Sequence, residues 1–83
     1  MKFYTAPFAE IPAEKMYRIL ALRSDVFVVE QNCAYQDLDG KDLQSLWVWA
    51  EDGQDEIHAT ARLLPAGISY HEISIGRVCT SLL

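Results

Sequence analysis

Apolar residues recur at Met16, Ile19, Leu22, Val26 and Val29, at spacings of three, three, four and three. That spacing predicts one buried face of an amphipathic helix. Pro12 suits the first helical position and Glu14 the first turn, where a carboxylate favours the helix dipole. The β-branched cluster Val26, Val28 and Val29 weakens helix propensity, so the pattern leaves the end of the helix open. Further along, the period changes to two. Leu46, Val48 and Ala50 alternate with Trp47, Trp49 and Glu51. After a turn at Asp52-Gly53, Ile57, Ala59, Ala61 and Leu63 alternate with Glu56, His58, Thr60 and Arg62. Both runs predict strands, with the second set of four apolar residues facing one way and the polar set the other. Pro65-Ala66-Gly67 ends this strand. A last strand is expected over residues 73–80, where Gly76 marks a bulge or a close backbone approach. A short first strand fits residues 2–6, ended by Pro7. Asp37-Leu38-Asp39-Gly40 reads as a turn, with Asp39 capping a short helix from near Lys41 and Asp42 in its first turn. The order is strand, helix, short helix, strand, strand, strand, an α+β chain without internal repeats.

The 83 residues are one small domain or part of one. A chain of this size buries only roughly 60% of the surface it exposes when unfolded. The 51% hydrophobic content argues against disorder. A net charge of −5, with seven scattered basic residues, argues against a nucleic-acid partner. No run of about 18 apolar residues predicts a membrane span, and Met1-Lys2-Phe3-Tyr4-Thr5 lacks the apolar core of a signal peptide. Cys33 and Cys79 fit no C-x-x-C spacing. The expectation is a cytoplasmic chain whose two cysteines are free thiols packed as small hydrophobic groups.

Several motifs bear on chemistry. Asp37, Asp39, Gly40 and Asp42 resemble the opening of a calcium loop, but its twelfth position, where a bidentate Glu is required, is Val48. A capped surface turn is the better reading. His58 and His71 have neither the spacing nor the neighbours of a metal site, so no metal is expected. Serine-hydrolase and Walker-type signatures are absent. Arg23 and Glu30 interrupt the apolar helix and lie two turns apart, on roughly one face. Two readings stay open for them: solvated surface charges, or the lining of a polar pocket in which Glu30 or Gln31 partners a buried guanidinium. Trp47 and Trp49 share one face of their strand and are read as core.

Four segments taken in order carry a family resemblance. They are Leu22-Arg23-x-x-Val26-Phe27-Val28-Val29-Glu30-Gln31, Asp37-x-Asp39-Gly40-x-Asp42, Ala59-x-Ala61-Arg62-Leu63-Leu64-Pro65 and Ile75-Gly76-Arg77-Val78. The pattern resembles the ElaA-like acetyltransferases of the GNAT superfamily over nearly the whole chain. It departs from them where Leu46-Trp47 stands in the place of a His that often follows the Asp-rich segment. The resemblance implies the N-terminal half of an acyl-CoA N-acyltransferase fold: a mixed, mostly antiparallel sheet, one long and one short helix, and helices on both faces. It implies acetyl transfer from acetyl-CoA to an amine. The backbone of Val78, Cys79 and Thr80 would meet the pantetheine arm and thioester, while Arg23, Phe27, Glu30 and Gln31 would shape the acceptor side. No catalytic residue is assigned.

The same resemblance sets expectations for what residues 1–83 leave out. In the family a Gly-rich loop follows the last strand and cradles the pyrophosphate at a helix N-terminus. Here the sequence given ends at Ser81-Leu82-Leu83. A partial domain is therefore expected, with weak or no acetyl-CoA binding and no catalysis by the chain alone. An uncovered sheet face and an open strand edge predict a homo-oligomer or a partner that completes the sheet. The alternative is a non-catalytic oligomeric or partner-binding module.

Overall fold

The computed structural model describes residues 1–67 and 72–81; the sequence reading of His71 therefore lies outside the described residues. Strand β1 (Lys2–Pro7) leads through a single 3-10 turn, Phe8–Glu10, into helix α1 (Ala13–Ser24). Pro12 sits at the N-cap, one residue ahead of the expected position, and its carbonyl accepts the amide of Met16. The helix continues as a π-helical turn over Asp25–Glu30. A 3-10 turn, Lys41–Gln44, precedes strands β2 (Leu46–Glu51), β3 (Ile57–Leu64) and β4 (Ser74–Thr80). The strands form one sheet in the order β1-β2-β3-β4, and each neighbouring pair is antiparallel. The expected admixture of parallel pairing is not seen among the described residues, because each strand turns directly into its sheet neighbour except β1, whose return runs through α1.

Cross-strand partners share a face, so the register shows which side chains meet. Tyr4, Trp49, Thr60 and Cys79 form one row, and Ala6, Trp47, Arg62 and Gly76 the next. This side carries the core. Trp47, Trp49, Ile57 and Cys79 pack with Ile11, Met16, Ile19 and Leu22. Tyr4 stacks on Trp49 with ring centroids 5.7 Å apart, and Phe8 leans on Trp47. The opposite side carries Phe3, Leu46, Val48, Ala50, Ala59, Ala61, Leu63 and Ile75. The helical segments described all lie against the Trp47 side, so helices on both faces are not seen among the described residues.

The apolar alternation of β3 misleads about burial. The register steps from Glu51 opposite Ile57 to Ala50 opposite Ala59, which leaves His58 as an extra residue. Ile57 therefore joins the Trp47 side, while Ala59, Ala61 and Leu63 face away from the helix. The polar residues Thr60 and Arg62 are the ones buried under α1. Of the cysteines, Cys79 is buried and burial pushes its thiol up to about 11. Cys33 is free and exposed, not packed as expected, because it lies beyond the helix in the loop that follows.

Candidate functional site

A closed ring of alternating charges fills the space between α1, the Asp-rich loop and the middle of β3 and β4. Arg23 Nη1 donates to Asp42 Oδ1 at 2.7 Å. Asp42 Oδ1 also accepts Arg62 Nη1 at 3.0 Å. Arg62 grips both oxygens of Asp39, at 2.7 and 2.8 Å, in the two-pronged geometry for which a guanidinium is suited. Asp39 Oδ2 reaches Arg77 Nη2 at 3.4 Å, and Arg77 Nε donates to Asp37 Oδ1 at 2.8 Å. Asp37 Oδ1 lies 3.2 Å from Arg23 Nη2, which closes the circuit. The carbonyl of Asp37 adds bonds from Arg23 and Arg77. Arg23 is 1% exposed and lies over the Trp47 ring, whose Nε1 donates to the Asp42 carbonyl. The Arg62 hydrogen bond holds the Asp39 carboxyl well below the usual range, helped by the Lys41 amide and opposed by burial. The same bond raises Arg62, again against burial.

Arg77 enters this ring from an unusual backbone. Its φ is +52°, a left-handed value that residues other than Gly, Asn and Asp rarely adopt. In the register, Arg62 opposes Gly76 and Thr60 opposes Cys79, so Arg77 and Val78 together face Ala61 alone. That is a β-bulge, which bends the strand and leaves one residue out of the ladder. The sequence marks Gly76 as either a bulge or a close backbone approach; the bulge itself lies one residue later. Gly76 instead meets Arg62, whose Nε would lie 3.7 Å from an added Cβ.

Beside the end of β4 lies an open cleft of about 560 Å³, lined by Tyr17, Ala21, Leu22, Asp25, Glu30, Glu56, Ile57 and Ser81 among others. No hydrogen bond or ion pair engages the carboxylates of Asp25, Glu30 or Glu56 among the described residues. Next to it, His58 Nε2 lies 2.8 Å from Asp52 Oδ2 and Nδ1 lies 3.3 Å from Ser81 Oγ. The bond from His58 draws Asp52 down to about 2, helped by the amides of Gln54 and Glu56. An ionised Asp52 only accepts, so Nε2–H is the donor, and in the neutral imidazole Nδ1 accepts from Ser81.

The structure separates the residues expected to act together. Arg23 points into the charge ring, with Asp37 and Asp42 as partners rather than Glu30 or Gln31. Glu30 lines the cleft, Phe27 packs partly buried against the core, and Gln31 is exposed. The π-helical turn between Arg23 and Glu30 changes the helical phase, which is why a two-turn separation does not put them on one face. The Asp-rich segment is not a surface turn: Asp37 and Asp42 are buried, and Asp39 serves Arg62 as well as the Lys41 amide. Sequence reading left Arg62 and Arg77 unassigned. Their signal was present as arginines within apolar strand runs, matched by three aspartates in one loop. Among the described residues no cluster of three His, Cys, Asp or Glu is arranged for a metal ion, and no helix is long and apolar enough to cross a membrane.

No family model matches the chain. Its sequence is similar to a UPF0039 protein of Synechocystis sp., 46% identical over 74 residues, which is 89% of this chain and 48% of that protein. It is 42% identical to Protein ElaA of Escherichia coli over 77 residues, 88% of this chain and 48% of ElaA. The crystal structure of E. coli ElaA superposes with a TM-score of 0.89 at 37% identity, covering 98% of this chain and 55% of that one. An acyl-CoA N-acyltransferase from Pseudomonas aeruginosa gives the same TM-score at 34% identity, covering 96% of this chain and 56% of that one. The chain thus spans about half the length of the curated relatives it matches.

Proposed function

We propose that the chain, similar over most of its length to about half of Protein ElaA and of an acyl-CoA N-acyltransferase, supplies the thioester-binding strand and the acceptor cleft of a GNAT-type N-acetyltransferase. The observation that carries this reading is the bulge at Arg77–Val78 in β4, the strand whose far end at Ser81 borders a cleft lined by Asp25, Glu30 and Glu56. An amide freed from the ladder fits a thioester carbonyl and stabilises the oxyanion that develops there. The backbone of Val78, Cys79 and Thr80 lies along that edge. Acetyl-CoA, when bound, supplies the acyl group as an activated thioester.

In this reading the residues of the chain bind, orient and neutralise. Asp25, Glu30 and Glu56 attract an amine in its ammonium form, and the apolar floor of Ala21, Leu22 and Ile57 desolvates it as it enters. A primary amine must lose a proton before or during attack, and His58, held by Asp52, reaches Ser81 at the rim of the cleft. The fit is incomplete on the anionic side. Arg23, Arg62 and Arg77 are all committed to aspartates, so among the described residues no basic cluster at β4 is free for the CoA phosphates. Acetyl-CoA binding by residues 1–83 alone is accordingly weak, and further polypeptide, in cis or in trans, completes both the phosphate site and the sheet.

The test is to join this chain to the remaining half of E. coli ElaA and measure thiol release from acetyl-CoA with a panel of small amines. Amine-dependent release, reduced at least tenfold in KM-limited rate by Glu30→Gln, is expected. Absence of amine-dependent release from a folded, completed domain would defeat the proposal.

A further inference from the structure

The charge ring is an expensive way to fill a core. Buried ion pairs recover their desolvation cost only with excellent geometry, and well-packed apolar groups often stabilise a core as well. In addition Arg23 Nε, Asp42 Oδ2 and Arg62 Nε find no hydrogen-bond partner among the described residues. What a closed ring of ion pairs, one of them the bidentate Arg62–Asp39 grip, supplies that leucines do not is orientation. The ring ties three elements to one loop: α1 through Arg23, β3 through Arg62 and β4 through Arg77.

Arg77 is where orientation matters most. It is the residue of β4 with the left-handed φ, and its side chain is held by the Asp37 carboxylate and carbonyl, by Asp39 and over the Tyr35 ring. A non-Gly residue stays in such a conformation only when its surroundings over-determine it, and these four contacts do so. We propose that Asp37 and Asp39 are positioning residues: by gripping Arg77 they hold the β4 bulge in the one conformation that presents its freed amide to an acyl-CoA thioester. This rests on the reading of β4 given above and adds to it the loop that sets the strand's shape. Substitutions in the loop therefore act on acyl-CoA binding without touching the ligand.

The experiment is a backbone NMR titration of the 83-residue chain and of Asp37→Asn, with acetyl-CoA as the probe and oxidised CoA, which lacks a thioester, as the control. In the wild-type chain, millimolar acetyl-CoA is expected to move the amide resonances of residues 77–80, and oxidised CoA is not. Asp37→Asn keeps the shape of the side chain but removes its charge. It is expected to displace the 77 and 78 amides in the free protein and to cut their response to acetyl-CoA at least fivefold, with the α1 and β2 resonances in place. If Asp37→Asn leaves the free-state 77 and 78 resonances and the acetyl-CoA response as in the wild type, the positioning role is overturned while the reading of β4 stands. If the wild-type chain joined to its completing half shows no response at 77–80, the reading of β4 fails and the thioester role of the clamp falls with it. Arg77→Gly covers the case in which Asp37→Asn does not fold, since Gly adopts φ +52° without strain. It keeps the bulge permitted but ungripped, and the same fivefold loss of response is expected; an undiminished response would overturn the proposal.

Discussion

Arg23 shows how a single residue carries both what a sequence reveals and what it hides. Its place in an apolar stripe marks it as exceptional, and electrostatics requires a partner for it only if it is buried, which the sequence leaves open. The partner did not, because Asp37 and Asp42 approach from a loop that strand and helix periodicity say nothing about. Shared acceptors make the ring fragile to truncation. Asp42→Ala removes one acceptor from two buried guanidinium groups at once, leaving Arg23 with Asp37 and Arg62 with Asp39, and is expected to cost about 1–3 kcal/mol, against within about 0.5 kcal/mol for Leu43→Ala at an exposed neighbouring position. Urea unfolding of the two variants checks the contrast; equal midpoints would show that Asp42 contributes little. Asp39 in the ring and Asp52 beside His58 together set an acid limit. Asp39 and Asp52 both have folded pKa values below their ordinary 3.8. A depressed carboxyl contributes stability that is whole above its unfolded pKa and disappears as pH falls through its folded one. Stability should hold above about pH 5, decline from about pH 4, and still be falling at pH 2. Asp39→Asn should flatten that slope when urea midpoints are compared across the range, whatever it does to stability at neutral pH.

At the scale of elements, clean periodicity locates the elements well but not always the faces they bury. The strand runs at 46–51 and 57–64 and the helix stripe from Met16 to Leu22 appear where alternation and three-four spacing put them. The misses share a cause, namely one residue too many in a repeating element. His58 is the extra residue in β3, the pair Arg77 and Val78 is the excess in β4, and the π-helical turn is the excess after α1. Each shifts the phase that a periodic pattern assumes to be constant, so each moves side chains to another face. The β-branched run flagged the third, Gly76 flagged the second within one residue, and nothing flagged the first. The two glycines near the ring are then separable by backbone. Gly40 has φ +82°, so Gly40→Ala is expected to cost about 1–2 kcal/mol. Gly76 lies outside the left-handed region, and a methyl there would meet Arg62 Nε at an ordinary 3.7 Å. Gly76→Ala should be neutral or stabilise by about 0.4–1 kcal/mol, through the unfolded chain. Thermal melts of both variants test the pair; a loss at Gly76 as large as at Gly40 would mean that the bulge needs a glycine beside it.

For the whole molecule, the two faces of the sheet stand in different situations. One is closed by α1 and the charge ring; the other presents Phe3, Ile75 and Val78 at 74, 67 and 62% exposure, with β1 and β4 as the edges of the described sheet. Burying three side chains of that size is worth at most about 5–9 kcal/mol, which is as large as the whole stability of a small domain. A face of this kind beside an open edge invites association. Because the relatives are about twice as long as the stretch they share with this chain, the proposal is that further polypeptide of the same domain type covers it. Residues 1–83 by themselves should then associate through the bare face as a substitute. Light scattering across a concentration series is expected to show mass rising with concentration. Ile75→Thr combined with Phe3→Thr should suppress the rise while leaving the circular dichroism of the sheet unchanged, because neither side chain touches the core under α1. Supplying the remaining half of ElaA should suppress it as well, by occupying the same surface. A compact monomer at every concentration, with no binding of a hydrophobic dye, would show that this face needs no cover and would remove the ground for expecting a completing partner.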